Sequence, residues 1–273
     1  MLRLDDGAVQ RAVKLIQGSD EQHSYVRDAL ASAGTPAAQR ALVSLMDHYG
    51  DDGQQRVTLI GLSMVTVPTP ETVGYLRSMR DDPVHGRQAR YGLGSATRRL
   101  LARAPEEGEA VLEELTSSLA DATTETDRSD YVTALGNTRS PTAYESIVAT
   151  LDDPSPVVRS AAVRALLHQQ GPEVDGVVAR VATADPVDIV RLSGVEVLRD
   201  RRSSPPLLSA LDSILRLDRS LLVRRQALVV AAGKAPAAPL LRESIAWVAS
   251  NDPVAELREL AARYAAGHPL EGQ

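Results

Sequence analysis

The most regular chemistry-bearing pattern in the sequence is an aspartate followed six residues later by an arginine. It occurs at Asp153 and Arg159, Asp185 and Arg191, Asp218 and Arg224, and Asp252 and Arg258. In each case the arginine follows an aliphatic residue: Val158, Val190, Val223 or Leu257. A carboxylate at a helix start suits the helix dipole. A guanidinium nearly two turns later can form a forked ion pair with a carboxylate. The pattern therefore predicts a structural ladder in which each arginine meets the aspartate of its own repeat or of a neighbour. The competing chemistry is an arginine row that binds an anionic ligand. The ladder is expected, because every arginine comes with its own acid.

Other reactive residue types point to no reaction. The histidines are His23, His48, His85, His168 and His268. None lies three or four residues from another, as a helical metal site requires, so no metal is expected. His48, His168 and His268 fall at expected helix ends, where a cation suits the dipole. The run Gly92-Leu93-Gly94-Ser95 lacks the Gly-Lys-Ser/Thr of a phosphate loop and has no strand before it. There is no G-x-S-x-G, and without a partnered histidine no serine is marked as a nucleophile. Asp51-Asp52, Asp81-Asp82 and Asp152-Asp153 each precede a helix, where capping accounts for them. No cysteine is present, so disulfide and thiolate chemistry are excluded. No catalytic residue and no cofactor is expected.

The elements that must position these residues form a repeat. A small or capping residue followed by proline recurs at Pro36, Pro70, Pro105, Pro141, Pro172, Pro205 and Pro236, in steps of 31 to 36 residues. An aspartate before a partner helix recurs at Asp20, Asp51, Asp82, Asp121, Asp153, Asp185, Asp218 and Asp252, in steps of 31 to 39. Two markers with one period indicate a helical solenoid. Residues 135–170 show one complete unit. Ser140-Pro141 starts a helix with apolar Ala143, Ile147, Val148 and Leu151, and Asp152-Asp153-Pro154 stops it. Ser155-Pro156 starts a second helix with Val157, Val158, Ala161, Ala162, Ala165 and Leu166 on its apolar side. Extended along the chain, this predicts 16 helices in eight pairs and no strand. The polar segment 121–130 is read as a surface turn before a late helix start. No Gly/Ser-rich linker divides the chain, so 1–273 is read as one domain, either whole or a segment of a larger protein.

Composition fits this reading. Hydrophobic residues make up 43% and aromatics only 3%, with no Phe. A core of Leu, Val, Ile and Ala lets helices approach closely. Net charge is −6, which makes nucleic acid an unlikely partner because phosphate binding needs clustered cations. The densest basic stretch (Arg199, Arg201, Arg202, Arg216, Arg219, Arg224 and Arg225) is interrupted by Asp200, Asp212 and Asp218. The N-terminus has no signal-peptide pattern. The longest apolar run, 57–67, is too short for a membrane span. A soluble protein is expected, with its compartment open.

The Asp…Val-Arg spacing, capping prolines and Ala-rich second helices resemble HEAT repeats. The implied fold is all-α, a right-handed α–α superhelix of about eight pairs. Within 130–166, Leu135-Gly136-Asn137, Ser140-Pro141 and the final VR-x-AAV-x-AL further resemble the helical domain of vitellogenin-like large lipid transfer proteins. Residues 89–94 and 35–40 fit the same comparison. That resemblance implies a helical domain that packs around lipid-binding β-sheets, which this chain lacks.

Repeat arrays act mainly by binding. The function expected is a non-enzymatic interaction scaffold, with a protein or the missing β-sheet lipid-binding domain as its partner. The alternative is an enzyme on the same scaffold, of chromophore lyase or DNA glycosylase type. Partner helices at 57–67, 187–198 and 221–230 are apolar almost all round, and part of that surface is expected to await a partner. Leu59, Ile60, Met64, Val190, Val197, Leu222 and Val229 are the candidate binding face.

Overall fold

A computed structural model describes residues 6–16, 23–48 and 52–267. Asp20, Asp51 and His268 lie outside the described residues. Among the described residues there are sixteen α-helices and no strand, so the chain is an all-α helical repeat. It falls into two compact units, Met1–Ala143 and Tyr144–Gln273.

The first unit contains α1 (Asp6–Ile16), α2 (His23–Ala33), α3 (Pro36–His48), α4 (Asp52–Met64), α5 (Pro70–Ser78), α6 (Gly86–Leu101), α7 (Pro105–Asp121) and α8 (Glu125–Thr138). Each odd helix packs on the even helix that follows it. The even helices also pack on one another in sequence, α2 on α4, α4 on α6 and α6 on α8. Two layers result, with Leu45, Leu59, Leu62, Leu76, Leu93 and Leu115 buried between them. Capping sets the helix starts. The Thr69 hydroxyl accepts from the Thr72 amide at 3.2 Å, with Pro70 in the first turn. Thr124 does the same for Asp127 at 3.0 Å. Close approach needs Gly94, because a Cβ there would penetrate the backbone of Ala134 on α8.

The second unit contains α9 (Tyr144–Ala149), α10 (Pro156–Ala165), α11 (Pro172–Ala184), α12 (Asp188–Asp200), α13 (Pro205–Leu217), α14 (Leu221–Lys234), α15 (Pro239–Asn251) and α16 (Ala255–Ala265). The same two-layer order holds, with α10, α12 and α14 stacked in one layer and α11, α13 and α15 in the other. Ser155 caps α10 by accepting from the Val157 and Val158 amides.

Three elements differ from the sequence expectation. The helix expected to start at Pro141 is broken: Pro141–Ala143 and Thr150–Asp152 are 3-10 turns, and α9 is short. Pro236 sits in a 3-10 turn, and Pro239 instead opens α15. Ala238, directly before that proline, is extended at φ −133°, ψ 94°. Proline disfavours the helical region for the residue ahead of it, so no helix runs through. Finally, the turn expected over 121–130 is shorter, with α8 starting at Glu125, the start expected for this partner helix. Only 122–124 lies outside helix, and Asp130 is buried against α6.

Candidate functional site

The Asp-to-Arg interval produces a repeated pairing between α10, α12, α14 and the turns that follow α11, α13 and α15. Arg159 donates from Nε to Asp185 Oδ2 at 2.8 Å and from Nη2 to Oδ1 at 3.0 Å. Arg191 makes the same fork on Asp218 at 2.7 and 2.8 Å, and Arg224 makes it on Asp252 at 2.8 and 3.2 Å. The carboxylate met is always that of the following repeat. The remaining nitrogen, Nη1, returns to the backbone of the arginine's own repeat. Arg159 donates to Asp153 O at 3.0 Å, Arg191 to Asp185 O at 2.9 Å and Arg224 to Asp218 O at 2.9 Å. Arg258 donates to Asp252 O in the same way.

Each aspartate also folds its own turn. Asp153, Asp185, Asp218 and Asp252 accept from the amide two residues on, at 2.8 to 2.9 Å. One carboxylate thus starts a helix and holds the preceding repeat's arginine. The pairs are buried, Arg191 and Asp218 most completely. Burial alone would raise the Asp185 carboxyl, but bonds from Arg159 and the Val187 amide hold it below the usual range. The bond to Asp185 raises Arg159, and the bond to Asp218 raises Arg191. Arg159, Arg191 and Arg224 are committed to protein carboxylates rather than offered to an anion, while Arg258 holds a backbone carbonyl.

Most of the basic stretch is neutralised nearby. Arg199 pairs with Asp200, Arg201 with Asp175 and Arg216 with Asp212, and Arg216 also lies 5.1 Å over the Trp247 ring. Arg219 donates to Pro186 O. Of the paired carboxylates expected as caps, Asp82 accepts from the Val84 and His85 amides in the turn ahead of α6, whose N-cap is His85, and the side-chain cap of α10 is Ser155. His168 lies exposed in a short 3-10 turn.

The first unit joins its even helices differently. Arg27 Nη1 on α2 donates to Gln54 Oε1 on α4 at 2.7 Å. Gln55 Nε2 donates to Met46 O, which leaves its Oε1 to accept from His85 Nε2 at 2.7 Å. That fixes the proton of the His85 ring on Nε2, and Nδ1 is then a buried acceptor without a partner. Arg90 on α6 bonds Asp127 at 2.6 Å and Asp130 at 3.4 Å, and lies 4.7 Å over the Tyr131 ring. Arg87 and the Tyr91 hydroxyl also donate to Asp130. Burial works to lower Arg90, but Asp127, Tyr131 and Asp130 together raise it.

Sequence reasoning missed this cluster. Its signal was present: Arg87, Arg90 and Tyr91 share a helix face at i, i+3 and i+4, as do Asp127 and Asp130 at i and i+3.

The candidate binding face divides. Leu59, Val190 and Val197 are core residues, fully or almost fully buried within their own units. The correction has a simple cause. A middle even helix packs on its pair mate and on even helices to both sides, so three of its sides are covered. Ile60, Met64 and Leu222 are exposed, and Val229 is half-buried.

These observations define a helical-repeat protein of stacked antiparallel pairs. HEAT repeats are the family whose model matches, over residues 112–199. No curated protein matches the sequence. Similar solved structures include an engineered protein, 18% identical with a TM-score of 0.41, covering 97% of this chain and 80% of its own. Another is human deoxyhypusine hydroxylase in complex with glycerol, 18% identical with a TM-score of 0.37, covering 82% of this chain and 83% of its own. The family match supports the HEAT part of the resemblance and lends nothing to the vitellogenin-like part. Among the described residues, no helix is long and apolar enough to cross a membrane.

Proposed function

We propose that the chain is a non-enzymatic scaffold that binds a protein partner along the even helices of its second unit. One observation carries this reading. Val157, Ile189 and Leu222 each stand four residues after a ladder aspartate, and each is 46 to 55% exposed. Single exposed aliphatics are ordinary on protein surfaces. Three at the same repeat position, on helices that pack side by side, form a row. The ladder arginines lie two residues further along the same helices and hold that row in register. At the next repeat the position is Glu256, where the row ends.

Non-enzymatic status fits the electrostatics. The ladder carboxylates are bound by arginines and amides, and Asp185 is held below its ordinary range. A general acid working near neutral pH needs the opposite shift. A lipid-binding β-domain is the narrower form of the partner, and a row of three aliphatics suits it no better than any other apolar protein face.

The test places a photo-reactive amino acid at Val157, Ile189 or Leu222 of the full chain in its native cell. One and the same protein should cross-link from all three positions, and Ile189→Ser should reduce capture from the other two. Cross-links to unrelated proteins at each position, or to none, would overturn the reading.

A further inference from the structure

A second surface, in the first unit, carries its own charge. On α4, Val57, Ile60 and Met64 stand at i, i+3 and i+7 and so share one face. All three are exposed, Met64 at 64%, and exposed Val67 follows just past the helix. Arg99 closes the C-terminal end of this stripe. It reaches from α6 and donates to Ser63 O at 2.8 Å, Ser95 O at 2.9 Å and Met64 O at 3.3 Å. Its partners are all carbonyl oxygens.

Arg98 stands beside it. Among the described residues it has no hydrogen bond or ion pair, and its nearest charged influence is Arg139 at the end of α8. Burial and Arg139 lower the proton affinity of Arg98, while burial and Arg98 lower that of Arg99. This arrangement is not forced by a shortage of acids. The chain has 36 acidic and 30 basic residues, and four arginines of the neighbouring segments find carboxylates: Arg77 and Arg80 share Glu114, and Arg87 and Arg90 share Asp130. Arg99, half-buried and without a carboxylate, borders an exposed aliphatic stripe, and unpaired Arg98 adjoins it on α6.

We propose that the exposed face of α4, with Arg98 and Arg99 at its end, docks an acidic amphipathic helix of a protein partner. The three α4 side chains span two turns, about 10 Å at 1.5 Å per residue. A partner helix laid along them presents an apolar stripe of matching length, and carboxylates at one end meet the two guanidiniums. Charge complementarity selects the partner, since a basic helix with the same apolar face would meet two unpaired cations. The proposal shares with the scaffold reading only that the partner is a protein, and its residues lie in the other unit.

The probe is a synthetic helical peptide of about fourteen residues, or two heptads, with leucines on one face and glutamates clustered at one end. Its twin carries lysines in place of the glutamates. Fluorescence anisotropy with the full chain should show the acidic peptide binding at least about tenfold more tightly, a difference of about 1.4 kcal/mol. Added salt should weaken it. Arg98→Glu should remove most of the preference. Met64→Ser, at an exposed site that folding does not need, should weaken both peptides alike. Equal affinity for the two peptides would overturn the proposal, as would binding unaffected by Arg98→Glu. Binding of phosphatidylglycerol vesicles without peptide binding would overturn it in favour of a membrane. Ile189→Ser should leave peptide affinity unchanged. A failed cross-link in the second unit and a failed peptide here are therefore separate results.

Discussion

The two units solve one problem with different chemistry. Successive even helices must be joined across a layer of small side chains, and both units place a polar link at every step. In the second unit the link is the same Arg–Asp fork three times over, with the third guanidinium nitrogen on a backbone carbonyl. In the first unit the links are Arg27 with Gln54, His85 with Gln55, and Arg90 with Asp127 and Asp130. Each of these leaves one buried nitrogen without a partner: Arg27 Nε, His85 Nδ1 and Arg90 Nε. A buried polar atom left unpaired costs about 1–3 kcal/mol. A forked pair that gives every guanidinium nitrogen a partner can be copied from repeat to repeat, whereas an improvised link is tuned to one interface.

The largest expected effect comes from breaking a rung. Arg191→Met leaves Asp218 charged and buried, and loss of one partner of such a pair costs about 3–5 kcal/mol. Adding Asp218→Asn should recover part of that, because an amide oxygen still accepts from Ser220 while the buried charge is gone. Gln55→Ala, which cuts a neutral link in the first unit, should cost only about 1 kcal/mol. Hydrogen exchange followed separately in the two units reads all three variants. Equal losses from Arg191→Met and Gln55→Ala would erase the contrast.

A middle-sized effect tests what the units share. Both need glycine where helices touch. Gly94→Ala drives a methyl into the Ala134 backbone, and Gly194→Ala brings one to 2.7 Å from Ala182 Cβ. Each should cost about 1–3 kcal/mol as overpacking. Gly74→Ala meets nothing within 4 Å and should be neutral or stabilising by up to about 1 kcal/mol. Thermal melts of the three variants check this.

The smallest effect is a pH dependence. The folded Asp185 carboxyl lies below its unfolded value, so its contribution is fully present above the ordinary carboxylate range and is lost as pH falls from about 4 down through the lower folded value. Arg159 is raised and stays charged throughout. Urea denaturation between about pH 6 and pH 3 should show the second unit weakening, with a shallower slope in Asp185→Asn. An unchanged slope would mean that the carboxylate is not linked to folding.

Local signals carried the all-α reading well, because prolines, caps and aspartates recur within each helix pair. The interval of six between Asp153 and Arg159 is visible in the sequence. That the carboxylate engaged belongs to the following repeat, Asp185, is visible only in three dimensions. Contacts between residues about forty positions apart, such as Arg90 with Asp130, depend on how each helix is rotated about its axis. The sequence of α8 does not state that rotation. Leu59 and Ile60 show the same limit. In a helix that is apolar nearly all round, pattern cannot tell the buried side from the exposed one, and only the positions of α2, α3 and α6 decide it.

The forks also have a polarity. Every arginine reaches toward the C-terminus for its acid, and no aspartate of the ladder reaches back. Arg159, Arg191 and Arg224 have that acid, while Arg258 holds only the Asp252 carbonyl among the described residues. Duplicating a segment such as 201–234 (α13, the Asp218 turn and α14) after α16 would therefore bring its copied Asp218 turn to Arg258 and leave a copied Arg224 at the new end. A copy lacking that turn would strand Arg258 inside the new interface. The array can be lengthened by tandem duplication in whole periods cut between an even helix and the odd helix that follows, because each added aspartate then meets the arginine of the repeat before it.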